Sequence, residues 1–266
     1  MSKYVTFPEL NKKNIGFLKV LIGLLVIFTM VLFVGENIAD VKAIMGENYA
    51  DSLPIYSVET EEKVVSLTFD AAWGDEDLDE ILSILDNHNC KATFFVTGDW
   101  ATRYPDAIEK IYKQGHDLGN HGANHKHMTM LSQDEMTEEI KDCHNIIKAM
   151  TGIDMDLFRV PYGDYNENVV LTAKLSGYYT IQWDVDSLDW KDYGVDSIIR
   201  TVTCHENLGC GSIILCHNGA KYTADALEEM IICLKEQGYS FVKMSDLIYK
   251  ENYRMDVTGR QCLCEE

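Results

Sequence analysis

From residue 64 onward the chain alternates between two hydrophobic periods. Short apolar, β-prone runs fall at 64–69, 92–96, 116–119, 157–160, 178–183, 212–215 and 240–242. Between them lie stretches in which apolar residues recur every three to four positions, at 78–87, 105–114, 132–150, 166–176, 195–206 and 224–237. A period near two predicts strands and a period near 3.6 predicts helices. The boundaries carry their own signals. Ser132 followed by Glu135 spells a capping box at the start of the longest helix, and Gly152 stands at its end, where a left-handed residue is wanted. Strand–helix repetition of this kind predicts an α/β fold with a parallel sheet, doubly wound or closed into a barrel.

The first sixty residues break this pattern. Residues 14–35 are almost continuously apolar, interrupted by Lys19 near their start, and match the ~20 residues that cross a bilayer. Lys3, Lys12 and Lys13 precede them, which places the N-terminus in the cytoplasm and everything after the span outside the cell membrane. A cleaved signal peptide is the rival reading, but no small-x-small cleavage site follows. The expected layout is a cytoplasmic N-terminus at 1–13, a single-pass transmembrane helix (or uncleaved signal) at 14–35, an acidic stalk at 36–60, a catalytic domain at 61–250 and a polar tail at 251–266.

Charge narrows the partners. The 266 residues carry a formal net charge of -20, which repels phosphate backbones and argues against nucleic acid as a partner. A neutral substrate such as an N-acetylated glycan meets no such barrier. Eight cysteines show no paired C-x-x-C spacing of a structural zinc site. Cys90, Cys143, Cys216 and Cys233 fall in apolar-periodic segments and are expected to be buried, while Cys204 and Cys210 could close a loop.

The chemistry collects just past the ends of the apolar runs. Asp70 follows the first, His121 and His125 the third, Arg159 the fourth, Asp186 and Asp189 the fifth, and His217 ends the sixth. In α/β folds that end of the sheet is where active sites are built. His121 and His125 stand four apart, so a turn can aim both rings at one ion, and neutral imidazole is the commonest ligand for zinc-like metals. Asp184, Asp186 and Asp189 admit a glycosidase reading with two carboxylates, but it leaves the histidines and Arg159 without a task. Trp73 and Trp100 could stack on sugar rings or fill the core.

Taken in order, T-F-D-A at 68–71, H-G-A-N-H at 121–125, F-R-V-P-Y-G at 158–163, D-S-L-D-W at 186–190 and I-L-C-H-N at 214–218 resemble the five motifs of the polysaccharide deacetylase (NodB-homology) family, carbohydrate esterase family four. The resemblance covers residues 62–250. The T-F-D-A-A-W-G form of the first motif, with the apolar N-terminal segment, is similar to the membrane-anchored, sporulation-associated branch. The resemblance implies an irregular (β/α)7 barrel that uses a divalent metal, zinc or alternatively cobalt, to hydrolyse N-acetyl groups of cell-wall polysaccharide. Peptidoglycan or a related N-acetylglucosamine glycan is the implied substrate and acetate the product.

The same resemblance implies the roles. His121 and His125 hold the metal, Asp70 is the base, and Arg159 orients it. The backbone N–H of Tyr162 helps to stabilise the oxyanion. His217 is the acid, with Asp189 on its other nitrogen. Trp190 and Leu215 wall the pocket for the acetyl methyl, and Pro161 joins Tyr162 at the substrate. One position departs from the pattern: where the family commonly has a second aspartate as third metal ligand, this chain has Ala71. Asp75, in the following W-G-D-E-D loop, is the expected replacement, unless it only caps the next helix. Two other functions stay open on these residues, a non-catalytic glycan-binding module and an O-acetyl esterase.

Overall fold

The computed structural model describes residues 52–264. The apolar segment 14–35 lies outside them, and among the described residues no helix is long and apolar enough to cross a membrane. The elements run β1 (Ser57–Val58), β2 (Val64–Ala71), α1 (Leu78–Asn87), β3 (Thr93–Val96), α2 (Gly98–Arg103), α3 (Pro105–Lys113), β4 (Asp117–Asn120) and α4 (Gln133–Thr151). They continue β5 (Leu157–Phe158), α5 (Glu167–Leu175), β6 (Tyr179–Thr180), β7 (Val185–Asp186), α6 (Val195–Thr203), β8 (Ser212–His217) and α7 (Thr223–Glu236). The chain ends with β9 (Ser240–Phe241), α8 (Met244–Leu247), β10 (Tyr253–Met255) and β11 (Arg260–Leu263).

All seven expected strands are present, in a sheet ordered β10-β11-β1-β8-β2-β3-β4-β5-β6, with β7 on β8 and β9 on β2. The fold is thus α/β, but its closure differs from a seven-stranded ring. β5 and β6 are two residues each and offer few ladder bonds. Beyond β6 the ladder continues only as the isolated Ile55–Ile181 bridge among the described residues, and the architecture is a half-barrel.

β2 shows why the site forms where it does. Every residue of it is buried, but its two faces differ. Val65, Leu67, Phe69 and Ala71 join the large hydrophobic cluster with the helices, whereas Ser66, Thr68 and Asp70 alternate with them and point the other way. Helix α1 packs on the apolar side through Leu78, Ile81, Leu82 and Leu85, a stripe at helical spacing. Truncating one such leucine to alanine would cost ~2–5 kcal/mol. α4 begins with the expected capping box between Ser132 and Glu135 and ends at Gly152, φ 79°.

Two boundaries are corrected. The stalk and tail expected at 36–60 and 251–266 both contribute strands: β1 pairs with β8 at Ser57–Ser212 and with β11 at Ser57–Arg260. The hairpin β10–β11 buries Gln261 and Cys262. All eight cysteines are free thiols, so Cys204 and Cys210 close no loop, and Cys233 is only half-buried.

Candidate active site

The parallel register of β2 and β8 sets Asp70 directly beside His217, on strands ~4.8 Å apart. Each of the two is held by a buried partner. Arg159, fully buried, donates from Nη1 to Asp70 Oδ1 and to Thr68 Oγ1, both at 2.8 Å, and from Nη2 to the Gln182 carbonyl at 3.0 Å. Its guanidinium lies 4.1 Å from the centroid of the Phe95 ring. That close stacking explains Gly119 on β4: a Cβ there would meet the Phe95 ring at 2.5 Å. Burial by itself would raise the Asp70 pKa, but the charge and hydrogen bond of Arg159 foremost outweigh it and hold the carboxyl below its ordinary value.

The acid side is built in the same way. His217 Nδ1 lies 2.7 Å from Asp189 Oδ1, while Asp189 Oδ2 accepts the backbone N–H of His217 and the hydroxyl of Thr223, each at 2.7 Å. With Nδ1–H given to the carboxylate, Nε2 is left for the cavity. Burial alone would lower the His217 pKa; the hydrogen bond and charge of Asp189, with Asp70 and Asp186, reverse this and raise it. The Trp73 ring stacks on the imidazole, centroids 5.1 Å apart.

The two histidines line the same cavity as Asp70 and His217. His121 Nδ1 is 2.8 Å from the Arg159 carbonyl, which can only accept, so the proton is on Nδ1. Its Nε2 therefore carries a bare lone pair, 3.5 Å from Asp70 Oδ2. The His125 ring is 4.9 Å from that of His121, centroid to centroid. Burial keeps both rings neutral at pH 7, the His121 pKa lowered and that of His125 pushed down to about 4. Two neutral imidazoles, one with its tautomer fixed by a carbonyl, are the donor chemistry that a zinc-like ion takes. These residues fit such an ion, but among the described residues no group of three His, Cys, Asp or Glu forms around a common point.

Asp75 does not complete the set. It is not among the residues lining the cavity; its backbone carbonyl accepts from Leu78 at the start of α1, and its charge bears on Lys110. The reason is the anchoring of its loop. The Gly74 carbonyl accepts from Trp100 Nε1 and Asn218 Nδ2, and both oxygens of Asp77 accept from Gly219 N–H. The loop so fixed delivers Trp73 to the cavity, whose lining does not include Asp75. Ala71 is fully buried in the hydrophobic cluster.

Asp70, Trp73, His121, His125, Tyr162, Trp190, Leu215 and His217 line one cavity of about 480 Å³. Pro161, expected at the substrate, is instead buried and opens the 3-10 turn Pro161–Gly163. That turn carries Tyr162 at φ 63°, 58% exposed. Asp184 is tied to Ile213 N–H and Ser212 Oγ and Asp189 is buried behind His217, which removes the carboxylate pair of the glycosidase reading. Asp186 does line the cavity; its carboxylate accepts from Leu188 N–H and holds the Trp190 side chain. Thr68, Gln182 and Thr223 escape sequence reasoning because they act only through bonds to residues far along the chain. Trp73 was visible as an aromatic residue without a decided role.

Comparison with known proteins agrees with this geometry. The family profile described as polysaccharide deacetylase matches residues 57–181. The chain is 32% identical over 208 residues to the peptidoglycan-N-acetylmuramic acid deacetylase PdaA of Bacillus subtilis, covering 75% of this chain and 77% of the relative. To a peptidoglycan-N-acetylglucosamine deacetylase of Bacillus cereus it is 33% identical over 198 residues, covering 73% and 92%. Among solved structures, BA3943 from Bacillus anthracis, described as a pseudoenzyme of carbohydrate esterase family four, superposes with a TM-score of 0.70 at 32% identity, covering 81% of this chain and 74% of that one. With more than three-quarters of a relative's length matched at over 30% identity, this chain belongs to the polysaccharide deacetylase family.

Proposed function

We propose that the protein hydrolyses the acetamide of N-acetylated sugars in peptidoglycan, releasing acetate and leaving a free amine on the glycan. The observation that carries this reading is the facing pair at the ends of β2 and β8: a carboxylate paired with Arg159 and an imidazole whose Nδ1 is bonded to Asp189, opening on one cavity. Asp70 takes a proton from the attacking water. The tetrahedral oxyanion that results faces the backbone N–H of Tyr162. His217 then gives its Nε2 proton to the departing nitrogen, while Asp189 stabilises the charged ring until the transfer. Trp190 and Leu215 bound the space for the acetyl methyl. Water adds across the C–N bond, so acetate and amine account for every atom.

His121 and His125 would hold a divalent ion, and zinc suits their nitrogen donors best. Such an ion would supply Lewis acidity, which polarises a carbonyl and lowers the pKa of water toward neutrality. The lysine-flanked apolar segment 14–35 supports an extracytoplasmic catalytic domain on a membrane anchor. Acetate release from peptidoglycan and N-acetylglucosamine oligomers, abolished by EDTA and restored by zinc or cobalt, tests the reading.

One observation favours a second reading, a glycan-binding protein without catalysis. Ala71 leaves the family's third metal carboxylate missing, and BA3943, a relative of similar fold, is described as a pseudoenzyme. Binding of peptidoglycan without acetate release under any divalent metal would establish it in place of the first.

A further inference from the structure

The loop that carries the two histidines is built around a strained residue. His125 has φ 53°, a left-handed conformation that is unfavourable for a residue with a Cβ. Such strain persists only where the surroundings over-determine it, and here they are identifiable. Glu139, about two turns into α4, is 3% exposed. Its Oε2 accepts the backbone N–H of Asn124 at 2.8 Å, and its Oε1 accepts Asn124 Nδ2 at 2.8 Å and pairs with Lys126 Nζ at 2.7 Å. One buried carboxylate thus grips the residues on both sides of His125. From the opposite side, Gly98 N–H donates to the Gly122 carbonyl at 3.0 Å and Asp99 N–H to that of Ala123 at 2.8 Å. Burial would raise the Glu139 pKa, but Lys126 and Asn124 together hold it below the ordinary glutamate value, so the acceptor is an anion at neutral pH.

We infer that Glu139 is a positioning residue of the metal site: by clamping Asn124 and Lys126 it fixes His125 in the conformation that sets its imidazole beside His121. The inference rests on the metal-dependent reading above and adds a residue outside the five motifs. Neutralising Lys126 is not a sufficient role for Glu139. The lysine side chain is 49% exposed and needs no buried partner, and both carboxylate oxygens turn to Asn124. The clamp acts on the loop and touches no ion itself, so its loss falls on affinity for the ion.

The test is zinc binding to the metal-stripped full-length protein, measured by competition with a chromophoric chelator, with the unfolding midpoint of each metal-free variant recorded alongside. Glu139→Gln should weaken zinc by about 10–100-fold, the usual effect of losing a partner that orients a ligand. Lys126→Met removes only the exposed half of the arrangement and should change affinity less than about fivefold. A purely structural role would lower the unfolding midpoint and leave zinc affinity, measured well below it, unchanged. If Glu139→Gln does not fold, Asn124→Ala carries the test, because it deletes the side-chain bond and leaves the backbone one; it too should bind zinc more weakly than Lys126→Met. Wild-type zinc affinity in Glu139→Gln, or equal losses in Glu139→Gln and Lys126→Met, overturns the clamp alone. A wild-type protein that takes up no zinc overturns the metal reading, and the clamp with it.

Discussion

Replacing Asp189 by asparagine changes one oxygen to NH2, and the surrounding bonds dictate how the new side chain sits. Oδ2 accepts two donors, His217 N–H and Thr223 Oγ1, so the asparagine carbonyl must take that place. Its NH2 then faces His217 Nδ1, 2.7 Å away in the wild type. Two donors cannot bond, so Nδ1 becomes the acceptor and the charged ring loses its partner. The lost attraction can be bounded: two unit charges ~4 Å apart at an effective dielectric near 20 interact by about 4 kcal/mol. At 1.36 kcal/mol per pKa unit, that is at most about three units. The His217 pKa, raised in the wild type, would fall below that of a free imidazole. An acid is lost as pH rises through its pKa, so the alkaline limb of the pH–rate profile should move acidward by more than about one unit. The rate at neutral pH should fall about 10²–10⁴-fold. The assay is acetate release from an N-acetylglucosamine oligomer across the pH range, with thermal unfolding as a check on the fold. An unmoved alkaline limb would show that His217 is not the acid.

Three further substitutions probe other parts. Arg159→Met leaves the Asp70 carboxylate buried without its guanidinium; thermal unfolding should show a loss of ~3–5 kcal/mol, and the acid limb of the rate profile should move to higher pH as the Asp70 pKa rises. Asp75→Ala should leave zinc content, read by elemental analysis, and acetate release within a factor of about two, because Asp75 does not line the cavity and surface changes are usually worth less than ~0.5 kcal/mol. Gly119→Ala drives a methyl into the Phe95 ring at 2.5 Å and should destabilise by ~1–3 kcal/mol in denaturant titration. Because Phe95 underlies Arg159, it should also slow acetate release.

The sequence revealed most where a pattern was local. The long strands β2 and β8 and the helices α1, α4 and α7 announced themselves by period, and Ser132 and Gly152 marked the ends of α4. The hairpin β10–β11 did not, because its partner β1 lies at the other end of the described chain and Ser57 meets Arg260 only in the fold. β7 lies just past the apolar run at 178–183, where the chain leaves β6 to pair with β8 instead. The same division holds at the site. Asp70, His121, Arg159 and His217 were legible as polar residues ending apolar runs. Asp75 stands outside the cavity lining, in a loop held by Trp100, Asn218 and Gly219, none of which is near it in sequence. Thr223 and Glu139 were invisible for the same reason: each is an ordinary helical residue until the fold brings its oxygen to a functional neighbour.

The most direct check on the central claim is acetate released from N-acetylated peptidoglycan by the wild type and by Asp70→Asn, measured side by side with zinc present. Glycan-bound free amine should appear in equal amount with the wild type, and Asp70→Asn, assayed below an unfolding midpoint lowered because buried Arg159 loses its carboxylate, should lose at least about a hundredfold in rate. Acetate that appears undiminished from Asp70→Asn, or no acetate from the wild type, would contradict it.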